Sequence, residues 1–248
     1  MAILNWDADG ERLFETGVDH VVLYPMNSSG VYQEGVAWNG VTGITESPEG
    51  ADANDIYADN IKYLSLISKE DWKGTIKAYT YPEAFNPCMG NYKKNNIAAF
   101  IGQQSRQKFG LSWRTRLGND VVGDSFAYKI HLAWGLSAAP SEMDHATQND
   151  SPEAQEFSWE VSSIPPQTSS KIFVDGGTDE ENEMALQACA HVYVVSHIII
   201  PGQTATPNAR LTALENYLYG QGTDPSTYKP ALPTLTQLIS YYKTGSFS

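Results

Sequence analysis

Ser125, in the string Gly123-Asp-Ser-Phe126, has the local sequence that comes nearest to a catalytic nucleophile. A Gly-Asp-Ser string opens some serine hydrolases. That chemistry needs the Ser on a strand-to-helix turn, a His as base and an Asp to orient it. Here the Ser enters a strand after a hairpin tip. The candidate base segment, Glu142-Met-Asp-His145, follows shortly downstream instead of late in the chain. A bare motif without its structural context carries little weight.

Metal chemistry would need clustered histidines, cysteines and carboxylates. The histidines are His20, His131, His145, His191 and His197. His191 and His197 fall on one face of one strand, roughly 20 Å apart at about 3.3 Å per residue, too far to share an ion. His131 lies opposite the apolar face of its strand and is expected at the surface or an interface. Cys88 and Cys189 stand alone, so neither a metal knuckle nor a redox pair is expected, and Cys189 reads as a small buried hydrophobe. Asp7-Ala-Asp-Gly-Glu11 lacks the third acidic position before the Gly and the terminal Glu of a calcium loop. Gly220-Gln-Gly-Thr-Asp-Pro225 follows a helix, whereas a phosphate-cradling loop precedes one. Arg114 and Arg116 share the polar face of a strand and are expected to pair with neighbouring carboxylates. The reading is therefore a non-enzyme with no catalytic residue, cofactor or metal.

The elements that would position these groups are mostly strands. Phe109, Leu111, Trp113 and Thr115 alternate with Gly110, Ser112, Arg114 and Arg116. Gly118 to Asp124 reads as a hairpin tip, followed by strand 126–134, a polar loop 138–153, and strand 156–162. Period-two alternation predicts one buried and one wet face for each strand. Upstream, Val18 to Leu23 and the segment Val31 to Val41 read as short strands punctuated by Gly30, Gly35 and Gly40. Glu46 to Asp55 reads as a long polar loop. Ile61–Ile67 and Trp72–Tyr81 are expected to pair through a turn at Ser68–Asp71, and Tyr81–Phe85 to form one helical turn with Pro82 at its first position. Lys171–Val174 and residues 190–200 add strands. An acidic insert occupies about 175–187.

Two helices are expected to close the chain. Thr206-Pro207 would cap the first, over Asn208–Tyr219, with Leu211, Leu214 and Leu218 at helical spacing and Gly220 as its stop. Pro233-Thr234 would open the second, with Leu235, Leu238, Ile239 and Tyr242 on one side. The pattern predicts a mainly-β fold, an antiparallel sandwich or barrel of about nine or ten strands. It forms one domain over 1–248, with short flanking helices and a helical C-terminal segment over about 206–244.

Composition limits the function classes. The net charge is −13, from 16 basic and 29 acidic residues. Nucleic-acid binding through phosphates needs concentrated positive charge, so it is not expected. Charged residues are only 18%, while Tyr (14) and Trp (6) are plentiful. Tyr and Trp suit both strands and interfaces. The N-terminal string Met1-Ala-Ile-Leu-Asn-Trp-Asp-Ala-Asp9 has no basic region and no long apolar stretch, and the run near Val192–Ile200 is broken by Ser196 and His197. Neither a secretory signal nor a membrane span is expected.

A set of short strings in order carries a resemblance. They are Gly17-Val-Asp19, Gly35-Val-Ala-Trp-Asn-Gly40, Tyr57-Ala-Asp-Asn-Ile-Lys-Tyr63, Ala78-Tyr-Thr-Tyr-Pro82, Phe109-Gly-Leu111, Gly118-Asn-Asp120, Tyr128-Lys-Ile-His131 and Asn149-Asp-Ser-Pro-Glu153. Over about residues 1–175, and again at the C-terminal helix pair, the chain resembles the major tail proteins, or tail tube proteins, of long-tailed bacteriophages. The acidic stretch 175–187 departs from that pattern. The resemblance implies a β-sandwich with flanking helices, of which six copies form a ring by continuing one inner sheet into a closed barrel. It implies stacked rings, a bore through which genome DNA passes without specific binding, and contacts with tape measure and terminator proteins. It also implies residence in the virion tail after assembly in the host cytoplasm, with no membrane involved.

Ring-to-ring contact is expected at loop 46–60, with Glu46, Glu49, Asp52 and Asp55 as its polar contacts. The rival expectation is a monomeric carbohydrate- or ligand-binding sandwich with Trp38 or Trp134 as the platform.

Overall fold

The computed structural model describes residues 8–68, 70–94, 99–145, 147, 150, 154–164, 189–198, 206–208, 210–220, 229–244 and 247. The expected strand Lys171–Val174 and the acidic insert 175–187 lie outside these residues.

The strands are β1 (Leu13–Pro25), β2 (Val36–Ala37), β3 (Val41–Glu46), β4 (Glu49–Gly50), β5 (Ala53–Ala58), β6 (Ile61–Ile67), β7 (Glu70–Asp71) and β8 (Lys73–Ala78). After a 3-10 turn at Glu83–Phe85 and a short helix α1 (Asn86–Met89) come β9 (Tyr92–Lys94), β10 (Ala99–Ile101), β11 (Phe109–Asn119), β12 (Gly123–Ala138), β13 (Phe157–Ser163), β14 (His191–Val195), β15 (His197–Ile198) and β16 (Thr206–Pro207). Helices α2 (Leu211–Tyr219) and α3 (Leu235–Thr244) follow. The fold is mainly β and antiparallel, as the alternation predicts.

One eight-stranded sheet organises the chain, in the order β2-β1-β11-β12-β13-β8-β3, with β14 also paired to β12. Residues 38–40 alone link β2, at one end of this order, to β3, at the other. The sheet therefore curls and brings its two ends close. Trp38 helps to hold them, its backbone N–H donating to the Val21 carbonyl and its indole to the Thr80 carbonyl at 2.8 Å.

The concave side encloses one core. It includes Leu23, Trp38, Ile76, Phe85, Phe109, Leu111, Trp113, Leu136 and Trp159. The convex side carries a second core, where Val22, Tyr24, Ile130, Leu132, Trp134 and Val194 meet Leu211, Leu214 and Leu218 of α2 and Leu235, Leu238 and Tyr241 of α3. The central strands are thus covered on both faces. Val21 to Tyr24 and Ile130 to Leu136 are buried residue after residue. This corrects the expected wet face of strand 126–134. Alternation within one strand cannot reveal that helices nearly a hundred residues later will cover its second side.

On its far edge β12 serves two partners. Lys129–Ala133 pairs with β14, and Leu136–Ala138 pairs with β13. The handover falls at Gly135, whose φ is +64 and where an added Cβ would lie 2.5 Å from the Ile164 carbonyl oxygen. Both the backbone region and the space exclude a side chain. Gly135→Ala is therefore expected to cost at least about 2 kcal/mol, read as a lowered urea midpoint at unchanged slope.

Three local expectations need correction. Thr206-Pro207 does not cap a helix; it pairs with His197-Ile198 as β16 on β15. The helix instead begins at Leu211, after Asn208 accepts the Arg210 N–H at 3.1 Å. Its end is as expected, with Gly220 left-handed at φ +65. At α3 the start is legible. The Thr234 N–H donates to Gln237 Oε1 at 2.9 Å and the Gln237 N–H to Thr234 Oγ1 at 3.3 Å, a capping box. The side chains of Ile239 and Tyr242 lie outside the described set. The expected strand 190–200 breaks at Ser196, whose hydroxyl accepts the Tyr128 N–H at 2.8 Å. The turn at Tyr81–Phe85 forms one step later, with Pro82 as its N-cap.

Candidate functional site: an uncovered hairpin arm and a histidine pair

The expected loop 46–60 is one side of a ribbon. Strands β3 and β8 leave the sheet together and continue, in a single register, from Ile44↔Ile76 through Glu49↔Asp71 and Ala53↔Ile67 to Ile56↔Leu64. Ile61–Ile67 therefore pairs with Ala53–Ala58, not with Trp72–Tyr81. The signal that could have found this is Asp59-Asn60. Both residues have positive φ, +50 and +63, the conformation that a two-residue hairpin turn requires and that Asp and Asn tolerate. Strand β8 is already occupied, by β3 on one side and β13 on the other.

The arm buries almost nothing. Every residue of β6 is exposed, and the exposed large hydrophobic side chains include Ile56, Tyr57, Ile61, Tyr63, Leu64, Leu66 and Ile67. Ile67 and Tyr63 are 71% and 68% exposed. A two-stranded hairpin is marginal in water unless something packs on it. Contiguous exposed apolar side chains of this kind mark surfaces that meet a partner.

The four expected contact residues fall on this ribbon, but their roles differ. Glu49 pairs with Lys73 across the ladder. The Asp52 carbonyl accepts the Ser68 N–H at 3.3 Å. Asp55 meets Lys62 at 2.7 Å and accepts the Ser65 hydroxyl at 2.7 Å, stiffening the hairpin from within. Glu46, at the root of the arm, points elsewhere.

Glu46 reaches His131 and His191. Its Oε1 lies 3.5 Å from His131 Nδ1 and its Oε2 lies 3.5 Å from His191 Nδ1. The Trp72 indole donates to Glu46 Oε2 at 3.3 Å. The two imidazoles approach each other at 3.2 Å, Nδ1 to Nε2, and both stack on Trp113, at centroid distances of 4.9 and 5.4 Å. His131 Nε2 contacts the Thr115 hydroxyl at 3.0 Å. His131 is therefore not a surface residue; it is 7% exposed. Burial is the main force on its titration, pushing it down to about 3, with the charges of His191 and Lys129 adding to the effect. Burial lowers His191 too, against the opposing pull of Glu46. His191 and His197 lie on separate strands, β14 and β15; the near partner of His191 comes from β12, with which β14 pairs. Strand pairing across 60 residues carries no local signal.

The remaining candidates resolve simply. Ser125 is exposed and lies in β12 just past the hairpin tip, its hydroxyl 3.4 Å from Asp124. This is not the strand-to-helix turn that the hydrolase motif requires. Trp38 and Trp134 are 3% and 2% exposed, so neither offers a platform to a sugar. A cleft of about 410 Å³, lined by Met89, Asn91, Arg106, Ser141, Met143 and Trp159 among others, is a separate concavity. Cys88 is buried, and Cys189 is half-buried, its thiol donating to the His191 carbonyl at 2.7 Å. Among the described residues no helix is long and apolar enough to cross a membrane.

Arg114 and Arg116 do pair with carboxylates. Arg114 grips Asp19 through two bonds, at 2.6 and 3.0 Å, and Arg116 reaches the same carboxylate at 3.3 Å. Partial burial alone would raise the Asp19 carboxyl. The hydrogen bonds and charge of Arg114, helped by His20, outweigh it and hold the group down to about 2. A carboxylate lowered on folding stabilises the native state above its unfolded value near 4. That contribution is lost as pH falls through about 2. After discounting for solvent screening it is worth about 1 kcal/mol. Asp19→Asn should accordingly flatten the loss of stability between pH 4 and pH 2, measured by denaturant titration at each pH.

No protein-family model matches the chain, and no curated protein matches it.

Proposed function

We propose that this chain is a structural, self-assembling subunit of a bacteriophage tail tube. In this reading six copies form a ring, the rings stack, and the hollow tube conducts genome DNA. The chain then works in the virion tail after assembly in the host cytoplasm, alongside tape measure and terminator proteins. It binds no cofactor for this purpose and performs no catalysis.

One observation carries the reading beyond the sequence resemblance. The arm 46–74 ends in a hairpin whose apolar side chains nothing among the described residues covers. A stacked neighbour would cover them, and an isolated monomer would leave them wet. Among the described residues the outer edges of β2, β3 and β14 have no strand partner, which is compatible with sheet continuation between copies. Six chains of −13 carry −78 per ring, which disfavours adhesion of DNA phosphates wherever that charge faces the bore.

Light scattering over a concentration series tests this. The expected result is a mass that rises in multiples of six chains. A mass fixed at one chain would contradict it and favour the ligand-binding alternative.

A further inference from the structure

Glu46, His131 and His191 come from three strands and converge at the rim of the concave core. Their candidate donor atoms all lie within 4.8 Å of one another. We propose that this trio is a binding site for a divalent transition-metal ion of the zinc class, held by one carboxylate oxygen and two imidazole nitrogens.

The spacing fits such an ion. Donors at about 2.0–2.1 Å from a tetrahedral zinc stand about 3.3–3.4 Å apart. From His131 Nδ1 the separations are 3.2 Å to His191 Nε2 and 3.5 Å to Glu46 Oε1, and one donor from each residue lies within 4.8 Å of the other two. The atoms beyond the donors are also arranged to orient them. The Thr115 hydroxyl can accept from His131 Nε2–H, which leaves the Nδ1 lone pair facing the other two donors. The Trp72 indole fixes one carboxylate oxygen. Hydrogen bonds of this kind set the tautomer and direction of metal-ligating side chains. Trp113 forms a flat floor beneath both rings, with interplanar angles of 8° and 6°. Two imidazoles and a carboxylate suit zinc, cobalt(II) or iron(II) better than calcium or magnesium, which prefer all-oxygen shells. The side-chain exposure of Glu46, 34% against 8% for His131, places the entry on its side.

An ion here would tie the last residue of β3, the root of the arm, to β12 and β14. The site stands whether or not the chain assembles into tubes.

The test uses the full chain without an affinity tag, stripped with chelator and titrated with zinc sulfate by calorimetry. A parallel titration with cobalt(II) reads visible absorption. The expected result is one ion per chain, with at least tenfold weaker binding in Glu46→Gln and in His191→Gln. Both variants nearly keep side-chain volume at partly exposed positions, and circular dichroism would confirm their fold. Thr115→Val should weaken binding less than either. Absence of stoichiometric binding in the wild type would overturn the proposal and leave a hydrogen-bonded His–His–Glu trio. Equal binding in wild type and both ligand variants would overturn it as well, by placing the ion elsewhere.

Discussion

A chain carrying Tyr63→Asp, Leu66→Asp and Ile67→Asp should fold as the wild type does and fail to assemble. All three residues are more than half exposed, so each change should shift monomer stability by no more than about 0.5 kcal/mol. In an assembled tube the same side chains would be covered. Covering an apolar side chain of this size contributes about 1.5–3 kcal/mol, and burying an unpaired carboxylate in its place costs more. Three such losses at every subunit contact weaken association by at least about a thousandfold. Sedimentation velocity with circular dichroism separates the two effects. Unchanged spectra with loss of large particles are expected. Tubes that still form with three aspartates on the hairpin would exclude the arm from the interface.

The second large effect lies in the concave core. Phe85 is fully buried at the centre of an aromatic cluster, with centroid distances of 4.5 Å to Trp38, 5.3 Å to Trp159 and 5.4 Å to Phe109. The latter two contacts are nearly perpendicular, at 80° and 86°, the edge-to-face geometry that aromatic quadrupoles favour. Phe85→Ala removes the ring and leaves a cavity that surrounding indoles cannot easily fill. A loss of about 3–5 kcal/mol is expected, measured as a fall in urea midpoint. Phe85→Leu should cost less than half as much. Equal, small losses for both would mean that the cluster repacks freely.

Particular elements explain what the sequence reveals and what it hides. Strands β11 and β12 are legible because their pattern and the hairpin tip between them are local. Helix α2 is legible because Leu211, Leu214, Leu218 and Gly220 fall within one short window, and all three leucines are buried as the spacing predicts. The arm is partly legible. Residues 46–60 stand out as unusual, yet their polar composition hides that they are half of a ribbon. Most of the arm's exposed apolar residues sit on β6, beyond the Asp59-Asn60 turn. The histidine trio is hidden entirely. Its donors lie 60 and 85 positions apart, and only the division of β12 between β13 and β14 brings them together. Trp38 and Trp134 mislead for a related reason. An aromatic residue in a strand pattern reads alike whether it faces solvent, the concave core as Trp38 does, or the helix pair as Trp134 does.

Electron micrographs of the purified full chain test self-assembly through the hairpin arm most directly. Rings with six-fold symmetry, or hollow tubes built by stacking them, are the expected images, with the hairpin of each subunit buried against the adjoining ring. Separate single-chain particles at the highest attainable concentration, their hairpins free in solvent, would contradict it.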